Sequence, residues 1–161
     1  MQISNAKLYI CAGKFMVNRK GKSMKLSIIV PVYNMAADGK LEYCLESLVH
    51  QTITNYEIIA VDDCSTDNSM EILKSYEEKY PDKFRAIHSD VNRKQGGAKN
   101  IGMGIAQGEW IGFIDSDDWV TPDYYEKLLS EVILESNHSA ALYRTNTHHK
   151  QILNSSQSCR A

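Results

Sequence analysis

Residues 110–119 read W-I-G-F-I-D-S-D-D-W, an apolar run that ends abruptly in three carboxylates. A short apolar run of this kind is typical of a strand that is buried on both faces. The acid cluster, Asp115, Asp117 and Asp118, is repulsive unless a cation or several hydrogen-bond donors offset its charge. Carboxylate oxygens suit Mg²⁺ or Mn²⁺, and Mg²⁺ is commonly held by one or two carboxylates together with substrate phosphates. The stretch therefore predicts a buried strand with a divalent-metal site at its carboxyl end. Alternatively, the acids only form a turn and cap the next helix, although Thr121-Pro122-Asp123 already supplies a helix start.

The same alternation of an apolar strand and an amphipathic helix recurs along the chain. The predicted strands cover residues 26–32, 56–61, 84–88 and 109–114. The predicted helices cover residues 40–51, 70–81, 96–106 and 124–136. This order predicts an α/β, Rossmann-like fold with a mainly parallel central sheet and helices on both faces. Ligands of such sheets bind beyond the carboxyl ends of the strands.

Polar residues follow several of these strands, so they are expected at one edge of the sheet. Tyr33 follows the first strand, and Asp62 and Asp63 end the second. The two acids favour recognition of a polar ligand, although one of them could merely cap the next helix. Tyr33 is either a stacking platform for a base or an ordinary turn aromatic, and the sequence leaves both open.

A glycine-rich turn lies between the third strand and its helix, with Arg93, Lys94 and Lys99 around it. Basic residues beside glycines suit a diphosphate, although such side chains are commonly just solvated. Gly102 and Gly104 lie inside the predicted helix, where each costs about 1 kcal/mol relative to Ala. That cost indicates close packing or close approach of a ligand.

Composition predicts one domain of residues 24–136 with two flanking segments. The 161 residues are 43% hydrophobic, which is enough for a core. Residues 1–23 are a basic extension that could touch nucleic acid or anionic lipid, but without interleaved aromatics it is more typical of a solvated arm. Residues 137–161 are a polar tail that we expect to be disordered or aberrant.

The sequence shows no signal peptide and no apolar stretch of membrane-spanning length, which predicts a cytoplasmic protein without a transmembrane segment. Its four cysteines form no C-x-x-C pair and are expected to be reduced thiols.

Four motifs, in this order, resemble the family-two glycosyltransferases. They are S-I-I-V-P-V-Y-N at 27–34, V-D-D-C-S-T-D-N-S at 61–69, G-G-A-K-N-I-G at 96–102 and F-I-D-S-D-D at 113–118. Together they are far more specific than any one motif, and the resemblance covers about residues 24–136. It implies the inverting, A-type glycosyltransferase fold, a nucleotide-diphospho-sugar donor, with a UDP type favoured, and Mg²⁺ or Mn²⁺ as cofactor.

The resemblance also implies roles for the residues outside the acid cluster. Pro31 and Tyr33 would border the nucleobase, and Asp63, helped by Asp62, would hydrogen-bond it. Lys99 falls at the basic position of the glycine motif and would contribute to donor binding.

Within the acid cluster, the resemblance places Asp115 toward the ribose and Asp117 on the metal at the diphosphate. Asp118 adjoins them and would share the metal. Members of the family continue into an acceptor-binding half with a carboxylate base, which deprotonates a hydroxyl of a glycan or lipid-linked acceptor in cell-surface polysaccharide synthesis. No acid follows Glu135 here, so we expect a donor-binding half without the base, at the end of a truncated or frame-shifted copy.

Two alternatives remain at this point. One is a catalytically inactive, truncated fragment that binds a nucleotide-sugar. The other is a haloacid-dehalogenase-like phosphatase with Asp115 as nucleophile and Asp117 as acid. Trp119 disfavours the phosphatase, because that family normally has Thr or Val at this position.

Overall fold

The computed structural model describes residues 7–10 and 26–130. The predicted polar tail, residues 137–161, and most of the predicted extension lie outside the described residues. The boundaries predicted for these segments therefore stay predictions.

The described residues form one sheet of five strands in the order β1-β5-β2-β3-β4. The strands are β1 (Lys7–Ile10), β2 (Leu26–Val32), β3 (Tyr56–Asp62), β4 (Phe84–His88) and β5 (Trp110–Phe113). The helices are α1 (Lys40–Val49), α2 (Ser69–Lys79) and α3 (Lys94–Ile105), and residues 124–130 are also helical. Strands β2 to β5 run parallel to one another. The α/β prediction with a mainly parallel sheet is confirmed.

Strand β1 lies within the segment that the sequence predicts to be a basic extension. It pairs antiparallel with β5, from Lys7 opposite Phe113 to Ile10 opposite Trp110. Such an edge strand is held by backbone hydrogen bonds, so its sequence needs little pattern. This explains why sequence analysis did not anticipate it.

Both faces of the sheet are covered, as predicted. Helix α1 buries Leu41, Cys44, Leu45, Leu48 and Val49, which recur at helical spacing on one face. These residues pack with α2 and residues 120–129 against one face of the sheet. Helix α3 packs through Ala98 against the opposite face. Every residue of β2 and β3 is buried, which explains their nearly continuous apolar runs.

Close packing explains one of the two glycines in the second half of α3, Gly102 and Gly104. A Cβ added to Gly102 would lie 2.6 Å from Ile29 Cγ2 of β2, so the helix approaches the sheet only because this side chain is absent. A Cβ added to Gly104 would meet no described atom within 4 Å. Packing therefore does not account for Gly104.

The buried carboxylate of Glu57 links several elements at the amino-terminal edge of the sheet, which is the edge opposite the predicted site. Glu57 Oε1 accepts hydrogen bonds from Ser27 Oγ and from the Gln107 N–H, both at 2.6 Å. Its Oε2 pairs with Arg85 Nη2 at 2.6 Å. Ser27 Oγ also accepts the Gly108 N–H at 2.8 Å. These bonds fix the turn that leads into β5.

Candidate functional site

A cavity of about 210 Å³ lies at the carboxyl edge of the sheet. It is lined by Pro31, Val32, Tyr33, Asp63, Gln95, Ala98, Asp115, Ser116 and Asp117. The edge predicted from the sequence therefore exists, and most of the predicted site residues meet there. Complete small-molecule sites commonly have volumes of about 300–1,000 Å³, so this cavity is large enough for only part of a typical ligand.

The strand register explains why residues distant in sequence meet at this cavity. Val32 pairs with Asp62 at the end of β2 and β3, and the Asp63 N–H donates to Val32 O at 2.8 Å. On the other side of β2, the Ile114 N–H donates to Ile29 O at 3.2 Å. The chain after β5 consequently turns beside the end of β2.

Tyr33 stands at the mouth of the cavity, with 49% of its surface exposed. Residue Asn34, which follows it, adopts a left-handed backbone conformation with φ of 52°. The Asn34 N–H donates to Ser65 Oγ at 2.9 Å, and its Oδ1 accepts the Thr66 N–H at 2.8 Å. The turn that carries Tyr33 is thereby joined to the loop after β3.

Residues 65–69, S-T-D-N-S, lead into α2 and also bind the turn that follows β2. Asp67 Oδ2 accepts the Ala36 N–H and Ser69 Oγ accepts the Met35 N–H, each at 2.8 Å. The N-cap residue Asn68 makes no side-chain capping bond. Burial alone would raise the pKa of Asp67, but hydrogen bonds from Ser69 and Ala36 outweigh it and lower this pKa. The charged carboxylate therefore holds the two loops together.

The adjacent acids at the end of β3 have different environments. Asp63 lines the cavity, is 3% exposed and accepts the Arg93 N–H on Oδ1 at 2.7 Å. Asp62 is fully buried and lies outside the cavity lining. Its Oδ2 lies 2.8 Å from His88 Nδ1 and 3.3 Å from the Ser65 nitrogen. Asp62 thus holds the end of β4 and the loop after β3, and its direct contact with a ligand stays a prediction.

Two side chains of α3 contact the carboxylate of Asp115. Gln95 Nε2 donates to its Oδ1 at 2.6 Å, and Lys99 Nζ lies 3.3 Å from the same oxygen. Its backbone oxygen accepts the Asp118 N–H at 3.0 Å and a weak bond from Cys44 Sγ at 3.7 Å. Lys99 therefore reaches the site through Asp115 and does not line the cavity itself.

The acid cluster concentrates negative charge, as the sequence predicts. Asp117 is exposed at the cavity, and Asp118 is half-buried. Burial and then the charges of Asp117 and Asp115 raise the pKa of Asp118. Burial raises the pKa of Cys44 to about 12, with further contributions from all three carboxylates. A bound cation would offset the repulsion among these carboxylates.

The carboxylate oxygens of the acid cluster form a donor set that fits Mg²⁺ or Mn²⁺. Among the residues that the structure describes, no three His, Cys, Asp or Glu side chains converge closely enough to hold a metal by themselves. A hard cation that also takes phosphate oxygens needs only one or two protein carboxylates.

Helix α1 supports the loop that carries the acid cluster. Ser47 Oγ accepts the Val120 N–H at 3.3 Å, and Gln51 Nε2 donates to Thr121 O at 2.8 Å. The rings of Tyr43 and Trp119 meet edge to face at 5.7 Å. Residues 115–121 therefore run along α1, which fixes where the carboxylates lie.

Sequence analysis missed Gln95, and it placed Arg93 and Lys94 only by their charge. Gln95 lines the cavity, one position before the glycine pair at which the sequence predicts the helix to start. The Arg93 backbone reaches Asp63, while the side chains of Arg93 and Lys94 are exposed. Their predicted contact with a diphosphate stays a prediction.

Comparison with known proteins now identifies the family. Residues 27–151 match the family described as Glycosyl transferase family 2. The chain belongs to glycosyl transferase family 2. This family-2 chain agrees with the resemblance drawn from its four motifs, and its membership argues against the phosphatase alternative.

Curated relatives of the family-2 chain are longer proteins. It is 45% identical over 106 residues to the uncharacterized glycosyltransferase YibD of Escherichia coli, covering 66% of this chain and 30% of YibD. It is 47% identical over 100 residues to the poly(ribitol-phosphate) beta-glucosyltransferase of Bacillus spizizenii, covering 60% of this chain and 15% of that enzyme. The matched stretch thus spans less than a third of either relative.

Solved structures support the A-type glycosyltransferase fold. S. aureus TarS 1-349 in complex with UDP superimposes with a TM-score of 0.61 at 30% identity, covering 72% of this chain and 33% of TarS. The mannosyltransferase PcManGT from Pyrobaculum calidifontis, in complex with GDP-Man and Mn²⁺, gives a TM-score of 0.55 at 26% identity, covering 59% of this chain and 28% of PcManGT. The predicted fold is confirmed.

Proposed function

We propose that this chain binds a UDP-type nucleotide-diphospho-sugar with Mg²⁺ or Mn²⁺ at the carboxyl edge of its sheet. One observation carries the proposal: Tyr33, Asp63, Asp115 and Asp117, from three separate strand ends, line one cavity. The aromatic ring of Tyr33, the buried carboxylate of Asp63, the half-exposed carboxylate of Asp115 and the exposed carboxylate of Asp117 suit the base, ribose and metal-bound diphosphate of such a donor. The UDP complex of TarS supports the choice of nucleotide.

The base would lie against Pro31 and Tyr33. Asp63 keeps one oxygen on the Arg93 N–H and would accept a hydrogen bond from the base with the other. Asp62 would support Asp63 indirectly, because it accepts a hydrogen bond from the loop that follows Asp63. Lys99 would keep Asp115 oriented toward the ribose.

Asp117, joined by Asp118, would hold the metal at the diphosphate. Asp117 is the exposed member of the cluster. Burial, and then the charges of Asp117 and Asp115, raise the pKa of Asp118, and a cation would offset those charges. When bound, the metal would stabilise the negative charge of the diphosphate leaving group. PcManGT, which was crystallised with GDP-Man and Mn²⁺, supports this assignment.

We further propose that the family-2 chain serves transfer of the sugar to a hydroxyl of a glycan or lipid-linked acceptor in cell-surface polysaccharide synthesis. The relative from Bacillus spizizenii, a poly(ribitol-phosphate) beta-glucosyltransferase, supports this class of acceptor. A cytoplasmic location belongs to the same proposal. Among the described helices, none is both long and apolar enough to cross a membrane.

Isothermal titration calorimetry with uridine, UMP, UDP and GDP in the presence of Mn²⁺ tests the donor assignment. UDP is expected to bind at least tenfold more tightly than UMP, because UMP lacks the second phosphate. Asp63→Asn should weaken the binding of every uridine compound, because it removes a carboxylate facing the base. Equal affinity for UMP and UDP, or no measurable binding of any nucleotide, would overturn the proposal.

A further inference from the structure

Gln95 makes a directed contact with Asp115. It is the second residue of α3, its side chain is exposed, and its Nε2 donates to Asp115 Oδ1 at 2.6 Å. Lys99 lies four residues later, hence on the same helix face, and its Nζ is 3.3 Å from the same oxygen. Two donors from α3 therefore converge on Oδ1 and fix one side of the carboxylate.

The second oxygen of Asp115 remains available to a ligand. No described residue donates a hydrogen bond to Oδ2, and the Asp115 side chain is 49% exposed at the cavity. The terminal torsion of an aspartate is broad, so an unrestrained carboxylate would sample many orientations. With Oδ1 held by α3, rotation is restricted and Oδ2 has a defined position.

We infer that Gln95 is a positioning residue for the donor, acting through Asp115 so that Oδ2 accepts a ribose hydroxyl. The inference rests on the proposed function, in which Asp115 contacts the ribose. Gln95 provides direction without charge, whereas Lys99 provides charge and also lies over the Phe113 ring at 5.6 Å. An anionic carboxylate that is already oriented loses less entropy when it binds the hydroxyl.

A positioning role for Gln95 can be tested separately from a role in stability. Gln95 is exposed and belongs to neither core cluster, so its replacement should leave folding intact. Gln95→Leu removes the donor, and Gln95→Glu keeps the shape but places a second carboxylate against Asp115. Gln107→Leu is the matched control, because Gln107 precedes β5 at the opposite edge and contributes its backbone N–H to Glu57.

The test compares UDP with 2′-deoxy-UDP and 3′-deoxy-UDP by calorimetry with Mn²⁺. In the parent chain, at least one deoxy form should bind about tenfold more weakly than UDP. Gln95→Leu should weaken UDP about three- to tenfold while changing that deoxy form little, so the difference between them shrinks. Gln95→Glu should weaken UDP further, and Gln107→Leu should match the parent.

The possible results separate this inference from the proposed function. The positioning role would be overturned if Gln95→Leu bound UDP as tightly as the parent does. It would also be overturned if Gln95→Leu lost the same factor in affinity for UDP and for both deoxy forms. Tighter UDP binding by Gln95→Leu would show that Gln95 obstructs the cavity. Absence of UDP binding by the parent would overturn the proposed function and this inference with it. Thermal melts that match the parent would exclude misfolding as the cause of any loss.

Discussion

Replacing Glu57 with leucine should lower the free energy of unfolding by about 3 kcal/mol, with an upper bound near 5 kcal/mol. The Glu57 side chain is 5% exposed, while its partner Arg85 is 34% exposed. Breaking a buried ion pair costs about 3–5 kcal/mol, and the partial exposure of Arg85 favours the lower value. Ser27 Oγ and the Gln107 N–H also lose their 2.6 Å acceptor, each worth about 1 kcal/mol, within the same total.

Equilibrium urea unfolding of the parent, Glu57→Leu, and a variant that also carries Arg85→Leu measures this effect. The double variant should recover part of the loss, because it leaves no guanidinium without a carboxylate partner, even though Ile105 O then loses its 3.0 Å bond from Arg85 Nη2. UDP affinity should change less than twofold in both variants, since Glu57 lies at the edge opposite the cavity. A loss below 1 kcal/mol, or a double variant no more stable than the single one, would refute the reasoning.

Three further predictions follow from packing, charge and loop contacts. Gly102→Ala should destabilise the chain by about 1–3 kcal/mol because its Cβ meets the sheet, whereas Gly104→Ala should stabilise it by up to about 1 kcal/mol; equal melting temperatures would contradict this. Because burial, and then the acid cluster, raise the pKa of Cys44 from 9.0 to about 12, the stability present below pH 9 should be lost as pH rises from 9 toward 12. The slope should reach about 1.4 kcal/mol per pH unit, and urea titrations of Cys44→Val should lack that component. Asp67→Ala should weaken UDP binding several-fold in calorimetry, because the Ala36 N–H loses its acceptor in the loop beside Tyr33; unchanged affinity would contradict this.

The parallel strands β2 to β5 and their common edge could be predicted because local sequence determines them. The run at 26–32 coincides with β2, because a nearly continuous apolar run marks a strand buried in a parallel sheet. The run at 84–88 coincides with β4, although only Phe84 of that strand is buried. Parallel strands then bring their carboxyl ends to one edge, whatever the loops do. That rule predicts from the sequence alone that Tyr33, Asp63 and Asp115 lie at one edge.

The orientation of individual side chains could not be predicted in this way. Adjacent residues of an extended chain point in opposite directions, but the pattern alone does not say which of Asp62 and Asp63 faces the cavity, and only the family resemblance favoured Asp63. Gln95 was missed because α3 begins at Lys94, two residues before its predicted start at Gly96, which places Gln95 on the helix face toward Asp115. Small shifts in register or helix start decide such contacts.

Contacts between loops were the other gap. Aspartate is a residue type that favours helix caps, and Asp67 Oδ1 accepts the local Ser69 N–H at 3.0 Å, yet its Oδ2 accepts the Ala36 N–H, 31 residues away. Capping follows from local spacing, whereas a bond between two loops depends on how the strands bring them together. The acceptor side of the proposed reaction likewise needs residues beyond those that line this cavity.

The measurement that tests the central claim most directly is calorimetric titration of UDP with and without Mn²⁺, in the parent and in Asp117→Ala. The control is Asp123→Ala, which removes an equally charged residue that pairs with Lys127 outside the cavity. UDP should bind the parent and the control tightly only with Mn²⁺, and Asp117→Ala should lose at least tenfold in affinity. Equal binding in EDTA and in Mn²⁺, or Asp117→Ala binding like the parent, would contradict it.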